Sequence, residues 1–346
     1  MAYSDLKTVY YTNRGNPEEF EKIYQNRLNN PSVIKTQLYP RLMRREEYET
    51  ADYPIFVNPT IEILMLMQKI IESSLTINQI ANSLPQVAHE QFYNEQLYRS
   101  IISTNEIEGV KTTREELSQA FEAILSKKDK TNLRHLSTVR MYSDILNNHY
   151  LHIQKLEDVR NIYDGLTEGE IAEEDKLDGK LFRNDSVYIT DDNTGKTIHI
   201  PPRKEEMINR MLLDWLEFIN QSDVPFLIKA IVGHYFFENI HPFYDGNGRV
   251  GRFILAKYLS RRLDKFSGLI LSQEVNKYKS KYYNSFAILG NSLNRADATT
   301  FVRDILELIH EGQKLIIEVL LERKGLLDSA YQSLKDALEW TEADKF

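Results

Sequence analysis

Apolar residues recur at intervals of three and four through most of this 346-residue chain. The pattern is plain in NPEEFEKIYQNRL, PTIEILMLMQKIIESSL, EQFYNEQLYRSIIS, REELSQAFEAILSK, RHLSTVRMYSDIL, EEMINRMLLDWLEFI, PFLIKAIVGHYFFENI, RFILAKYLSRRL and YYNSFAILGNSL. A three-and-four spacing puts the apolar side chains on one face of a helix. Two further helices are expected near the end, over TTFVRDILELIHEGQKLIIEVLL and, from about Lys324, over GLLDSAYQSLKDALEW. The fold expected is therefore all-α. One stretch breaks the period: SVYITDDNTGKTIHIPP, residues 186–202, sets β-branched and aromatic residues on either side of a turn-rich DDNTGK and closes on two prolines. That is the pattern of a β-hairpin. The first fifty residues, rich in Tyr and Asn, are the least readable part of the chain.

Such a length favours one large domain with appendages or two domains. Net charge is −8, with a pI near 5.6, and the basic residues are scattered, which argues against a nucleic-acid surface. LTINQIANSL (75–84) faintly resembles part of a helix-turn-helix, but it lacks a basic stripe and reads as packing. No cysteine is present, which excludes disulfides, thiolate metal sites and a cysteine nucleophile. The start lacks the regions of a signal peptide, and the apolar stretch IEILMLM around residues 62–66 is too short to span a bilayer. A soluble, cytoplasmic protein is expected, with no membrane partner, and the abrupt end of the last helical pattern predicts chain beyond Phe346.

The chemistry concentrates in HPFYDGNGRVGR, residues 241–252. Pro242 disfavours helical backbone at His241, so the preceding helix should end there and leave the imidazole on a loop. Gly246 and Gly248 permit tight or left-handed backbone, and a new helix is expected from near Arg249. The loop N–H groups and that helix N-terminus then converge as an anion site. Arg249 and Arg252, three apart, lie on one side of the same anion. Two cations at the positive end of a helix are unfavourable unless an anion joins them. Asp245 is the hard oxygen ligand that magnesium bridging phosphates requires. His241 has the ordinary pKa of a general base. His234, with no metal-ligand spacing around it, reads as a hydrogen-bonded helix residue, and the acidic run EGEIAEEDKLDGK (168–180) as a solvated loop.

HPFYDGNGRVGR also resembles the Fic family motif HPFx[D/E]GNGRxxR at every fixed position. GKLFRNDSVYI, IHIPP, AIVGHYFFENI and KYYNSF extend the resemblance over roughly residues 95–310. It implies a Fic helical core over 95–310, an N-terminal helical region over 1–94 and a C-terminal helical extension over 311–346. The implied activity is transfer of AMP from ATP to a Ser, Thr or Tyr hydroxyl of a target protein, releasing pyrophosphate. The implied roles are His241 as base, Asp245 holding Mg²⁺, and Gly246, Asn247, Gly248, Arg249, Gly251 and Arg252 binding the nucleotide. The hairpin would be a flap that lays Lys196, Thr197, Ile198 and His199 over the nucleotide, with Tyr282 and Tyr283 near the adenine and a homodimer as partner state. TNEIEG (104–109) resembles the family's inhibitory motif (S/T)xxxE(G/N), with Thr104, Glu108 and Gly109 at the fixed positions. Gly109 is a natural residue just past a helix end, and Glu108 at the negative end of the helix dipole calls for a cation. The resemblance names Arg252. Three readings remain: an autoinhibited adenylyltransferase, a Fic enzyme that removes AMP or uses another nucleotide, and a nucleotide-responsive interaction protein.

Overall fold

A computed structural model describes residues 3–126, 133–146, 152–191, 194–221 and 223–343, the side chains of residues 146 and 337–343 excepted. Two small helices lead, α1 (Leu6–Thr12) and α2 (Pro17–Leu28). α2 starts where Pro17 sets the first turn and the Asn16 side chain accepts from the Glu18 and Glu19 N–H groups. Strands β1 (Ile34–Lys35), β2 (Leu42–Arg44), β3 (Glu47–Thr50) and β4 (Phe56–Val57) follow, β1 pairing with β4 and β2 with β3, all antiparallel. These account for the low readability of the first fifty residues: two to four residues of strand are too few for a visible alternation.

Helices α3 (Ile61–Asn82), α4 (Gln86–Ile107), α5 (Arg114–Leu125), α6 (Leu136–Leu146) and α7 (Leu156–Thr167) come next. A capping box between Thr113 and Glu116 opens α5. The expected hairpin is present but short, as β5 (Ile189–Thr190) and β6 (Thr197–His199) in the register Ile189↔His199. Asp192 and Asn193, at its tip, lie outside the described residues. Then follow α8 (Glu205–Gln221), α9 (Phe226–Ile240), α10 (Asn247–Arg262), α11 (Lys265–Lys277), α12 (Lys279–Leu289) and α13 (Thr299–Ala343). The architecture is all-α with small two-stranded sheets.

One expectation is corrected: the two helices foreseen near the end are the single helix α13. A lone Gly325 costs only about 1 kcal/mol in a helix. With no proline beside it, the helix runs through.

A large apolar core holds the helices together, and a second, smaller cluster of Leu6, Phe20, Tyr24 and Phe56 ties down the N-terminal segment. The large core takes Ile63, Ile70 and Ile77 from α3, Phe92 and Leu97 from α4, Leu269 and Val275 from α11, and Val302, Leu306 and Ile309 from α13. α3 packs along α13, and α11 is packed by α4, α10 and α13. Gln313 on α13 donates to the Ile70 carbonyl at 3.0 Å and to Ser267 at 2.8 Å. This scaffold fixes α4, α9 and α10, the three helices whose ends meet at the site. No helix among the described residues is long and apolar enough to cross a membrane.

Candidate active site

α9 ends at Ile240, and His241 follows in the left-handed region at φ 50°, ψ 63°. That conformation is uncommon for a residue with a Cβ. Arg183, fully buried just ahead of the hairpin, holds it. The Arg183 Nε donates to the His241 carbonyl at 2.8 Å, its backbone N–H to the Pro242 carbonyl at 3.1 Å, and Nη2 to the Ile240 carbonyl at 3.4 Å. One guanidinium thus satisfies the open carbonyls at the end of α9 and fixes where the His241 imidazole points. A ring hydrogen bond to the Glu238 carbonyl orients the imidazole further. Burial, with His199 and Arg183 close by, pushes the His241 pKa down to about 3, so the ring is neutral at pH 7 and one nitrogen remains an acceptor.

The loop beyond is closed on itself. Asn247 accepts from the Phe243 N–H at 2.9 Å and donates to the Phe243 carbonyl at 2.8 Å. The Asn247 side chain is thus a clamp, and what it offers a ligand is its backbone N–H. Phe243 stacks on Tyr163 with centroids 3.9 Å apart and planes 12° from parallel. Gly246, at φ 83°, makes the left-handed turn from which α10 starts. α10 therefore begins at Asn247, two residues before the expected Arg249.

The two arginines do not face one anion, as the sequence spacing suggested: each has a carboxylate of its own. Arg249 donates to Glu170 at 2.5 Å and lies 3.3 Å from Asp245. Glu170 also meets His135 at 2.6 Å. Burial works against the Glu170 carboxylate, but His135 and Arg249 hold it below the usual range. Glu170 comes from the acidic run read as solvated loop, and it is buried because Arg249 is there to receive it. Arg252, 2% exposed, donates to Thr104 Oγ1 at 2.9 Å, to the Thr104 carbonyl at 3.2 Å and to Glu108 Oε1 at 2.5 Å. Burial alone would lower the Arg252 pKa, but the facing Glu108, Tyr282 and Glu238 raise it instead.

α4 ends at Ile107, with Glu108 as its cap and Gly109 at φ 74°. Lys279 donates to the Ile107 carbonyl at 2.9 Å and so steadies this end. The Glu108 carboxylate reaches across to the start of α10: a Cβ placed on Gly248 would meet Glu108 Oε1 at 2.3 Å. An internal anion therefore sits against the glycine turn at a helix N-terminus, where a phosphate oxygen would also be attracted. Asp245 accepts from the Gly246 N–H at 2.6 Å, and its side chain is 43% exposed.

The hairpin lies beside this loop. His199 on β6 turns inward, its Nε2 2.7 Å from the Asn239 carbonyl, and burial pushes its pKa down to about 4. Ile198 faces outward, Thr197 is half-buried, and the Lys196 ammonium stands 3.9 Å from Glu46. Of the two tyrosines, Tyr283 is exposed while Tyr282 is buried against Phe286, its hydroxyl 2.7 Å from His234 Nε2. No face of Tyr282 is open to a ligand in this conformation.

Sequence reasoning passed over Glu238, Arg183, Glu170 and His135. Glu238 stands one turn before His241 on α9, with Oε1 pressed against Gly251 and no hydrogen-bond partner among the described residues. Burial raises its pKa to about 8, against the pull of Arg252. Its one sequence signal is its position three residues before the histidine, on the same helical face.

Residues 150–259 match the Fic/DOC family model. The chain is 26% identical over 230 residues to protein adenylyltransferase Fic of Drosophila willistoni, covering 66% of this chain and 42% of that protein. It is 25% identical over 229 residues to the protein of the same name in Drosophila virilis, covering 66% and 43%. It thus spans less than half the length of these curated relatives. A Fic family protein from Desulfovibrio desulfuricans G20 shares the fold, with a TM-score of 0.54 at 21% identity over 75% of each chain.

Proposed function

We propose, on the match of residues 150–259 to the Fic/DOC family model, that the protein is an autoinhibited adenylyltransferase that moves AMP from ATP to a hydroxyl of a target protein. The observation that carries the proposal is the junction of α9 and α10. There a neutral imidazole, a glycine turn and two buried arginines surround the start of one helix.

In the reaction, the ring nitrogen of His241 not bonded to the Glu238 carbonyl takes the proton of the target hydroxyl. The hydroxyl oxygen attacks the α-phosphorus, the bond to the β-phosphate oxygen breaks, and pyrophosphate leaves. The N–H groups at the start of α10 and the guanidinium of Arg252 neutralise the phosphate oxygens. Thr197 and Ile198 on the β6 edge close over the nucleotide. Asp245 fits a magnesium site: its carboxylate is open at the mouth of the loop. Among the described residues no three His, Asp or Glu side chains are grouped to hold a metal by themselves, so phosphate oxygens and water would complete the shell. Magnesium there would draw charge from the leaving pyrophosphate.

Glu108 opposes this arrangement. While it holds Arg252 and covers Gly248, the phosphate chain has neither its cation nor its full cradle. Release of Glu108 is the activating event. The same carboxylate, partly open to solvent, supports a second activity of the same site: orienting a water for removal of AMP from a modified protein.

Mass spectrometry after incubation with ATP and Mg²⁺ tests the proposal. A 5′-AMP adduct on the protein itself or on a lysate protein, absent with His241→Ala, is the expected result. Loss of adduct from a premodified target selects the second activity. If the adduct forms equally with His241→Ala, the assignment of the base fails. If neither addition nor removal occurs, even with Glu108→Gly, the enzymatic reading fails.

A further inference from the structure

The segment that ends α7 grips the motif loop from behind. Tyr163 stacks on Phe243. Thr167 fits against Gly246, where a Cβ would meet its Cγ2 at 2.9 Å. The chain then turns left-handed at Gly169, φ 73°, and the next residue, Glu170, takes Arg249. Three contacts thus fall on Phe243, Gly246 and Arg249, and Asp245 lies between them.

Arg249 stands between two carboxylates that differ in kind. Its Nη1 donates to Glu170 Oε2 at 2.5 Å, and that side chain is 8% exposed. Its Nη2 lies 3.3 Å from Asp245 Oδ2, at the open mouth of the loop. The Arg249 Nε has no partner among the described residues, so these two carboxylates aim the guanidinium. Attraction rises as distance and local dielectric fall. The guanidinium is therefore taken up mainly by Glu170. Asp245 is steered by one arm of Arg249 and by the Gly246 N–H, which donates to its Oδ1 at 2.6 Å, and each oxygen keeps a lone pair for a cation.

Glu170 cannot swing away. His135 Nδ1 lies 2.6 Å from its Oε1, and because an ionised carboxylate only accepts, that nitrogen carries a proton. On the other side of the ring, Nε2 is 3.2 Å from Thr112 Oγ1, which accepts from the Asn105 amide at 2.8 Å. His135 holds this place at φ 62°, a conformation uncommon for a residue with a Cβ and kept only where its surroundings over-determine it. Burial opposes the Glu170 charge, but His135 and Arg249 keep it ionised.

Glu170, Arg249 and Asp245 together carry one negative charge. With Glu170 neutralised the sum is zero, and Arg249 turns its full charge on Asp245 in competition with a metal. Building on the magnesium reading of Asp245, we propose that Glu170 is a positioning residue for the metal site: it takes up the Arg249 guanidinium, so that Asp245 is oriented yet free to ligate a divalent cation. Arg249 thereby serves the metal ligand rather than the phosphate chain.

Two measurements on the full chain test this, each in wild type and in Glu108→Gly, so that the hold of Glu108 on the cradle does not decide the result. Mn²⁺, as an EPR-visible substitute for Mg²⁺, is titrated into the ADP-bound protein, and ADP affinity without metal is measured by calorimetry in EDTA. Asp245→Ala should abolish Mn²⁺ binding. Glu170→Gln should raise the Mn²⁺ dissociation constant at least tenfold, the loss expected when a partner that orients a metal ligand is removed. Metal-free ADP should bind Glu170→Gln at least as tightly as wild type, because one negative charge has left the loop, whereas a loosened loop would weaken both. In an Arg249→Gln background, Glu170→Gln should change Mn²⁺ binding less than twofold. Should Glu170→Gln fail to fold, Glu170→Asp, which withdraws the charge by one methylene, should weaken Mn²⁺ binding at least threefold. The role of Glu170 is overturned if Mn²⁺ binding survives Glu170→Gln but not Asp245→Ala, if the loss is as large without Arg249, or if metal-free ADP binding weakens in parallel. Mn²⁺ binding that survives Asp245→Ala, or its absence from the wild-type and Glu108→Gly chains, overturns the magnesium reading of Asp245 itself and the role of Glu170 with it.

Discussion

Replacing Glu108 by glycine should act on stability and on nucleotide affinity in opposite directions and by the same amount. Removing one partner of a fully buried ion pair costs about 3–5 kcal/mol, because the other charge is left uncompensated. Here Arg252 is 2% exposed but Glu108 is 21% exposed, and Arg252 keeps both hydrogen bonds to Thr104. The loss should therefore fall below that range, at about 2 kcal/mol. In a thermal melt without nucleotide, Glu108→Gly should unfold about 3 °C below wild type. In calorimetry with a non-hydrolysable ATP analogue, the same 2 kcal/mol no longer opposes release of Arg252, and affinity should rise about 30-fold. Adenylylation, including self-modification, should rise with it. Adding Arg252→Ala should abolish both the affinity and the activity gain, a non-additivity that marks direct coupling. The reasoning is refuted if Glu108→Gly leaves both melting and affinity unchanged, or if the gain survives the loss of Arg252.

Asp245→Ala should reduce adenylylation by tenfold or more without moving the melting temperature, since its carboxylate is partly exposed and makes few contacts, and wild type assayed in EDTA should match it; full activity in EDTA would remove magnesium from the mechanism. Asn247→Ala leaves the Phe243 N–H and carbonyl unpaired in a buried loop, so stability should drop by about 1–3 kcal/mol and ATP binding should weaken together with it, as urea titration and calorimetry would show. Burial depresses the folded-state pKa of His199, His234 and His241, so stability is lost as pH falls below about 6.5, by at most about 1.4 kcal/mol per pH unit for each ring. Glu238 is shifted the other way, to about 8, so its contribution is lost as pH rises from its unfolded value towards 8. Melting temperature should therefore peak near pH 6.5, and Glu238→Gln should flatten the fall between pH 6.5 and 8; identical curves for the two proteins would show that Glu238 is already ionised in the fold.

The junction of α9 and α10 could be read from sequence because its signals are local. Pro242 ends a helix, Gly246 turns the chain, and Asn247, Arg249 and Arg252 follow at fixed spacing. What lies around that junction could not be read, because its character comes from distant chain. Glu170 looks like one more acid in a charged run until Arg249, 79 positions on, draws it inward. Glu238 looks like a solvated helix residue until Gly251 on the next helix comes up against it. Arg183 carries no signal in the residues beside it, and its distant partners are the carbonyls of Ile240, His241 and Pro242. The same limit explains the reading of the two motif arginines as partners of one anion: spacing placed them on one helix turn, and only the fold supplied Glu170 and Glu108. Tyr282 shows the converse. Its place in a matched pair implied a ring near the adenine, and in this conformation the ring packs against Phe286 and His234.

The pairing of α3 with α13 sets the order in which the molecule can be made. Ile70 and Gln313 are joined by a hydrogen bond across 243 positions. The Leu6 N–H donates one to the Asn294 side-chain oxygen, and Phe56 exchanges backbone bonds with Ala296 and Ala298. A chain emerging from the ribosome therefore exposes the apolar face of α3 for as long as it takes to synthesise more than two hundred further residues. At about 5–20 residues per second that is some tens of seconds. The HPFYDGNGRVGR loop is already outside the ribosome for the last part of that interval, before α13 has arrived to hold α11 against α4. Nascent chains of this protein should accordingly depend on holdase chaperones until α13 is complete.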